Sequence, residues 1–575
     1  MSVQIAWMRW CCIFVSLLGI SNGLSAESRP SPPLCRCMPQ DPCWPSDSKW
    51  DQFNKSIDGR LISATPIASP CHINPFAPYN ETQCAQLRSD WGFPETHYKT
   101  SSSIMASTFT YNSCNPFSPK DAPCTSGNYI QYAVNATDAR DVERSIQFAT
   151  RHNIRLVIRN TGHDLLGKST GAGALGVWMH HMKNISILDY ESAYYTGKAM
   201  KMGAGVQSFE ASAAASKVGL VVVNGNCPTV GLTGGYSQGG GHGQLVSQFG
   251  LAADQVLGWE VLLADGRLVV ASPTQHPDLY WALSGGGGGT YGIVISMTSK
   301  AYPELQTVSG NLTFSDTGVS RTTFFKAVEM FTSILPSIGD AGGASVWWLT
   351  NNTMSTTPTT IPGARVSLFN SLFDPLLGFM KENNMQYTYH VEDFPTFYNA
   401  YEKMNPKENI TDELLGGRLI PRNTLEQNLT ALVSSFRTIV EKDVGFLISG
   451  ITVNASRVAY PDNGVNPAWR NAIINFLIGQ SFDYIDWEAN AVGQQTITDV
   501  LLPSLEILTP DSGAYLNEAD PNQIDWQDIF YGDKYARLLE IKRKYDPSSI
   551  FYALKAVGSE EWEVSEDMRL CRSRR

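Results

Sequence analysis

The sequence has no dense stripe of Lys and Arg interleaved with aromatics, and 43 Lys plus Arg against 54 Asp plus Glu leave a formal net charge of −11. A surface of that sign repels phosphate backbones, which argues against nucleic-acid partners. Charge is scarce, at 17% of residues, while 43% are hydrophobic, so the 575-residue chain can bury sizeable cores and is too long for one ordinary domain. There is no zinc or calcium motif, no internal repeat and no low-complexity tract. His180 and His181 have no Cys or carboxylate neighbours at ligand spacing, so they are expected to be structural or surface residues and no metal is assigned. The apolar stretch at 10–20 is too short to span a bilayer and has signal-peptide proportions, with cleavage expected near Ala26 and no membrane anchor.

Cysteine is nearly absent from the body of the chain. Of 11 cysteines, Cys11 and Cys12 lie in the signal, and removing these two leaves nine, an odd number. Seven of the nine crowd into 35–124, a Pro- and Ser-rich lead-in that reads as stapled by cystines; the others are Cys227 and Cys571. All but Cys227 are expected to pair, with Cys571 reaching back to the N-terminal cluster. Secretion agrees with N-x-[ST] sequons at Asn54, Asn80, Asn135, Asn184, Asn311, Asn351, Asn409, Asn428 and Asn454.

Glycine is where the chain is rich. The segment 154–164 is an apolar strand ending in Asn160, Thr161, Gly162, His163 and Asp164, and the segment 223–243 is glycine-dense with Cys227 near its start. Such loops favour close approach of backbone N–H groups to a ligand, above all an anion. An amide-rich loop also favours the thiolate of Cys227, against the plainer reading of a small buried thiol. His242, beside the glycines 239–241, is equally suited to ligand contact or to anchoring the loop. Two tempting motifs fail on context. GHDLLGKS (162–169) spells a triphosphate-binding loop and GAGALG (171–176) a dinucleotide fingerprint, but neither opens a helix.

A strand at 129–134, a helix over 138–152 capped by Thr137 and a strand at 154–158 make a unit that delivers His163 at a strand end. A helix at 209–218, a strand at 220–223, a hairpin over 254–270 turning at Asp265 and Gly266, and five glycines at 285–289 feeding another strand follow. Beyond 303 the texture changes to helical runs at 321–335, 424–440 and 469–478 with strands at 344–349 and 446–453. The tail ends in an amphipathic helix stopped by Pro547.

The RNTGHD motif (159–164), the CPTVG loop (227–231), the run 285–294 and the closing segment 535–547 together resemble the berberine bridge enzyme-like flavoproteins of the vanillyl-alcohol oxidase/p-cresol methylhydroxylase superfamily, in their secreted fungal branch. The resemblance covers roughly 125–560 and implies an α+β fold: a PCMH-type FAD-binding domain, a substrate domain with an antiparallel sheet, and a C-terminal segment returning to the FAD domain. The expected divisions are a signal peptide (1–26), a cystine-rich lead-in (27–124), the FAD domain (125–304), the substrate domain (305–510) and the C-terminal segment (511–575). Carried over, FAD would be bound bicovalently, His163 to its 8α carbon and Cys227 to C6. The resemblance further implies cofactor contacts from Asn160, Thr161, Gly162, Asp164, Pro228, Val230, Gly231, Gly234, Gly235, Gly239, Gly240, Gly241, Ile293, Val294 and Asn517. The glycines 239–241 lie one residue farther from Cys227 than in plant members, with Gln238 as the insertion, which bears on oxygen access. The implied activity is a secreted oxidoreductase taking hydride from an alcohol, hemiacetal or amine-bearing carbon and passing electrons to oxygen. A dehydrogenase with another acceptor and a non-catalytic flavin-binding glycoprotein are the alternatives. The base is expected in the second domain, with Tyr398, Tyr401, Asp486 and Glu488 as candidates.

Overall fold

The structure is a computed structural model and describes residues 35–406, 409–410, 412–442 and 445–573. The expected signal peptide and the first residues of the lead-in lie outside the described residues. All described residues belong to one unit, Cys35–Arg575.

The expected strand–helix–strand unit forms, with one change at its cap. Helix Ala139–Arg151 is capped by Asp138, whose carboxylate accepts the N–H groups of Arg140 and Asp141, while the Thr137 hydroxyl turns instead to Asp141. A carboxylate is as good a cap as a hydroxyl and gains from the helix dipole. The helix buries Val142, Ile146 and Ala149 against a four-stranded sheet ordered Leu61–Ser63, Tyr132–Asn135, Leu175–Trp178, Leu156–Arg159. The last three strands are parallel and the first is an antiparallel edge.

A second, antiparallel sheet runs Ile185–Glu191, Thr196–Gly203, Ile293–Lys300, Val256–Leu262, Leu268–Ala271. Its last two strands are the expected hairpin, turned at Gly266 with φ +83°. A third, seven-stranded antiparallel sheet runs Tyr387–Phe394, Thr307–Ser315, Thr353–Pro362, Ala344–Leu349, Phe446–Thr452, Ala472–Ser481, Glu413–Pro421. Helices Arg321–Asp340, Val366–Glu382 and Leu429–Lys442 share a hydrophobic core with it, built around Phe324, Phe331, Trp347 and Phe436. The run expected as a helix at 469–478 is instead strand Ala472–Ser481 behind a short turn, Pro467–Arg470. That strand is paired on both sides and buried along most of its length, and a central strand with two covered faces carries a continuous apolar run that periodicity cannot separate from a buried helix.

Four disulfides pair every described cysteine except Cys227: Cys35–Cys571, Cys37–Cys43, Cys71–Cys84 and Cys114–Cys124. The first ties the start of the lead-in to the C-terminus, as parity and the secretory reading had suggested. The lead-in also braces the strand end that carries His163. Arg159 is wholly buried, and its guanidinium donates to the backbone carbonyls of His97, Thr100 and Ser103. Three carbonyls in place of a carboxylate compensate a buried cation. From the other end, Lys542 in helix Tyr535–Tyr545 donates to the Thr290 carbonyl (2.8 Å), fastening the C-terminal segment to the glycine turn.

Candidate functional site

These braces surround one cavity of about 380 Å3. It is walled by the strand end 160–164, the loop 225–238, the turn at Gly288 and Gly289, the segment 515–518 and one face of the inner strands Ala344–Leu349, Phe446–Thr452 and Ala472–Ser481 of the seven-stranded sheet. Glycine is required where the walls approach. A Cβ on Gly231 or Gly234 would come within 2.9 or 2.7 Å of the Asn160 amide, and Gly162 has φ +86°. Gly235 is open on its cavity side, its nearest side-chain atom 4.0 Å away.

Among the expected cofactor residues, His163, Cys227, Asn160, Thr161, Gly162, Asp164, Val230, Gly231, Gly234, Gly235, Val294 and Asn517 line the cavity. Pro228, Gly239, Gly240, Gly241 and Ile293 do not. Pro228 turns its carbonyl to the N–H of Phe209, and the carbonyls of Gly240 and Gly241 receive the N–H groups of Ala253 and Ala252. Ile293 points into the core beside Leu262, because alternate strand positions face opposite ways and Val294 takes the cavity side. Leu232–Tyr236 winds as a single wide turn just before Gln238. Wide turns of this kind absorb one extra residue. Gln238 itself is buried, with its amide on the Thr233 carbonyl and its own carbonyl accepting from Gly285 and Gly287, so it braces the two glycine turns against each other.

His163 and Cys227, on opposite walls, come to 3.9 Å between Nε2 and Sγ. Thr229 sits between them, its hydroxyl 2.6 Å from His163 Nε2 and 3.5 Å from the thiol sulfur. Burial pushes the His163 pKa down to about 4, with His97 adding to the effect, so the imidazole is neutral at ordinary pH. Nearby, Asp164 accepts the N–H groups of Leu166 and Ser169. Burial raises the Asp164 carboxyl, and it lowers the Lys168 ammonium to about 8. The chain then runs without a helix into strand Leu175–Trp178, which disposes of the triphosphate-loop spelling. His180 stacks on Tyr98 and Trp178, and His181 bonds Asn135 at the surface; both are structural, as expected.

None of the four candidate bases lines the cavity. Tyr401 donates to the carbonyls of Gly225 and Asn226 from behind the Cys227 loop, and Tyr398 lies on the same helix, Phe397–Met404. Asp486 caps helix Trp487–Thr496 through the N–H of Ala489, and Glu488 is in that helix's first turn. What the cavity does hold is a cluster that one-dimensional reasoning missed. Both carboxylate oxygens of Glu518 are 3.0 Å from His242 Nε2, and Asn475 donates to Glu518 at 2.6 Å. Its members come from the C-terminal segment, the glycine loop and strand Ala472–Ser481, with His242 more than 200 residues from the other two. The only sequence signal was that Glu518 follows Asn517 and His242 follows the glycines.

Residues 130–272 match the FAD binding domain model, and residues 514–558 match the model described as berberine and berberine like. The FAD-linked oxidoreductase sor8 of Hypocrea jecorina is 44% identical over 554 residues, 96% of each chain. The chain belongs to the berberine-like, VAO-type FAD-linked oxidoreductases. Its fold agrees with the crystal structure of the VAO-type flavoprotein MtVAO615 from Myceliophthora thermophila C1, at TM-score 0.90 and 39% identity, over 94% of this chain and 100% of that one. Glucooligosaccharide oxidase from Acremonium strictum, described with a 6-S-cysteinyl, 8α-N1-histidyl FAD, shares the fold at TM-score 0.59 and 18% identity, over 75% of this chain and 92% of that one. The protein is therefore an FAD-dependent oxidoreductase with a PCMH-type α+β fold.

Proposed function

We propose that this oxidoreductase holds FAD by two covalent bonds, from His163 and Cys227, oxidises an alcohol, hemiacetal or amine-bearing carbon, and uses oxygen as electron acceptor outside the cell. The observation that carries the reading is the meeting of these two nucleophiles across the cavity, 3.9 Å apart. The residues present fit the group. The walls are glycine on the approach side, and Asn160 Oδ1, Thr233 Oγ1 and Gln238 Oε1 are buried without a hydrogen-bond partner among the described residues. When bound, FAD supplies the acceptor for a hydride and a route for its two electrons onward.

The chain's own residues prepare the attachment. In the tautomer whose Nε2–H donates to the Thr229 hydroxyl, Nδ1 carries the lone pair of the neutral imidazole and would be the nitrogen to bond the 8α carbon. Cys227 would supply its sulfur to C6 of the same ring. Asn517 bridges the Gly235 carbonyl and the Tyr515 hydroxyl at 2.8 Å each, fixing the loop opposite. In this reading 125–304 grips the cofactor, 305–510 offers the substrate wall, 511–575 closes over both, and the lead-in braces the His163 strand. Secretion is supported by the four disulfides and by exposed sequons at Asn80, Asn184, Asn351, Asn409 and Asn428. Among the described residues no helix is long and apolar enough to cross a membrane.

The test is flavin fluorescence on a denaturing gel. Wild type and Cys227→Ala should fluoresce, and the double variant with His163→Ala should not. Loss of all flavin from denatured wild type refutes the covalent reading. Peroxide release in air identifies the oxidase; reoxidation by quinones alone identifies a dehydrogenase.

A further inference from the structure

Two carboxylates line the cavity, and they are differently employed. Asp164 is spent on the N–H groups of Leu166 and Ser169 and faces Lys168. Glu518 has no backbone N–H to hold. It is oriented by His242 on one side and Asn475 on the other, with Asn475 almost fully buried and the Glu518 side chain 23% exposed. His242 Nδ1 and Asn475 Oδ1 are buried and have no hydrogen-bond partner among the described residues, so this cluster is not closed on itself. Beside it the sheet presents an apolar wall, Val346, Ile451 and Leu477, with no charged group on it.

We propose that Glu518 is the catalytic base, taking the hydroxyl proton of an apolar alcohol whose carbon skeleton lies on Val346, Ile451 and Leu477, with His242 and Asn475 as its positioning residues. The proposal rests on the flavin reading above. The O–H bond breaks and its proton moves to a Glu518 carboxylate oxygen. The C–H electron pair departs as hydride to FAD, and the carbon–oxygen double bond forms, so the alcohol is oxidised and FAD reduced. The groups facing Glu518 suit this role. His242 holds the carboxylate through Nε2, and Tyr515 and Tyr236 are raised above the usual phenol range, chiefly by burial and further by the Glu518 charge, so neither competes for the proton.

Benzoate is a probe that needs no turnover. Its ring fits an apolar wall, and its carboxylate would sit where the alcohol oxygen does, against Glu518. Two carboxylates cannot share such a site without one proton. Calorimetric titration of the flavin-loaded protein between pH 5.5 and 8 should therefore show uptake of one proton and an affinity falling about tenfold per pH unit. Glu518→Gln should bind benzoate with no uptake and no pH dependence. Glu518→Asp, which keeps the acid, should keep both the uptake and the pH slope. In parallel, bleaching of the flavin by cinnamyl alcohol should slow by about 100-fold or more in Glu518→Gln, the usual worth of a general base, with partial return in Glu518→Asp. Equal pH dependence in wild type and Glu518→Gln overturns the assignment, as does loss of the proton uptake in Glu518→Asp. Failure of benzoate to bind either protein overturns the apolar seat. Absence of flavin from denatured wild type would sink the attachment reading alone, since proton uptake is measured by heat and not by the flavin.

Discussion

Lys542 offers the sharpest test of how the C-terminal segment holds the site together. Its ammonium donates to Asp546 Oδ2 at 2.6 Å, to the Phe551 carbonyl at 2.7 Å and to the Thr290 carbonyl at 2.8 Å. Lysine and aspartate side chains are 5% and 0% exposed. Lys542→Met keeps the stem's volume and removes only the charged head. Breaking a buried pair by deleting one partner costs about 3–5 kcal/mol. Asp546 still accepts the N–H groups of Ile550 and Phe551 at 2.9 Å each, which softens the stranded charge, while two carbonyls lose their donor. We expect a loss of about 4 kcal/mol, or about 8 °C in apparent Tm at roughly 2 °C per kcal/mol. Adding Asp546→Asn removes the stranded charge and should recover about half, because contacting partners are not additive. Differential scanning fluorimetry on the full-length protein measures both. A shift below about 2 °C for Lys542→Met, or a double variant worse than the single by the full cost of a second independent loss, refutes the reasoning.

Acid stability should report His97. Burial, eased by the Trp91 carbonyl and reinforced by the Arg159 charge, pushes its pKa down to about 4, while the unfolded chain titrates near 6.5. Between those values the unfolded state binds more protons, so stability falls as pH drops from about 6.5 to about 4 and is unaffected above. His97→Gln should flatten the Tm slope across that window; an unchanged slope contradicts the assignment. Glycopeptide mapping should find glycans at exposed Asn80, Asn184, Asn351, Asn409 and Asn428 and none at Asn454, which is buried with its amide on Asp340. Occupancy at Asn454 would contradict its burial.

Much of this architecture was legible in one dimension because it rests on local chemistry. Residues 139–151 form a helix because their apolar positions recur at helical spacing behind an acidic cap. The Asp265 and Gly266 turn announces its hairpin through a left-handed glycine. Cysteine parity singled out Cys227, and glycine density marked the loops that now face the cavity. Where local chemistry was ambiguous, the reading failed: Ala472–Ser481 is mostly apolar, and its two paired neighbours make it a strand.

The catalytic assignment was beyond reach for a different reason. Tyr398, Tyr401, Asp486 and Glu488 are plausible by residue type, yet a type says nothing about which way a side chain points, and none of the four lines the cavity: Tyr401 holds the Cys227 loop from behind and Asp486 caps a helix. Glu518, His242 and Asn475 become a site only because a C-terminal segment folds back across a glycine loop and an inner strand of a distant sheet. Sequence by itself determined most of the elements, the cystine-bearing lead-in and the two candidate nucleophiles, since spacing and residue chemistry act over a few positions. Tertiary structure decided the 3.9 Å meeting of His163 and Cys227 and the company Glu518 keeps, since contacts between segments tens to hundreds of residues apart depend on how packed walls converge.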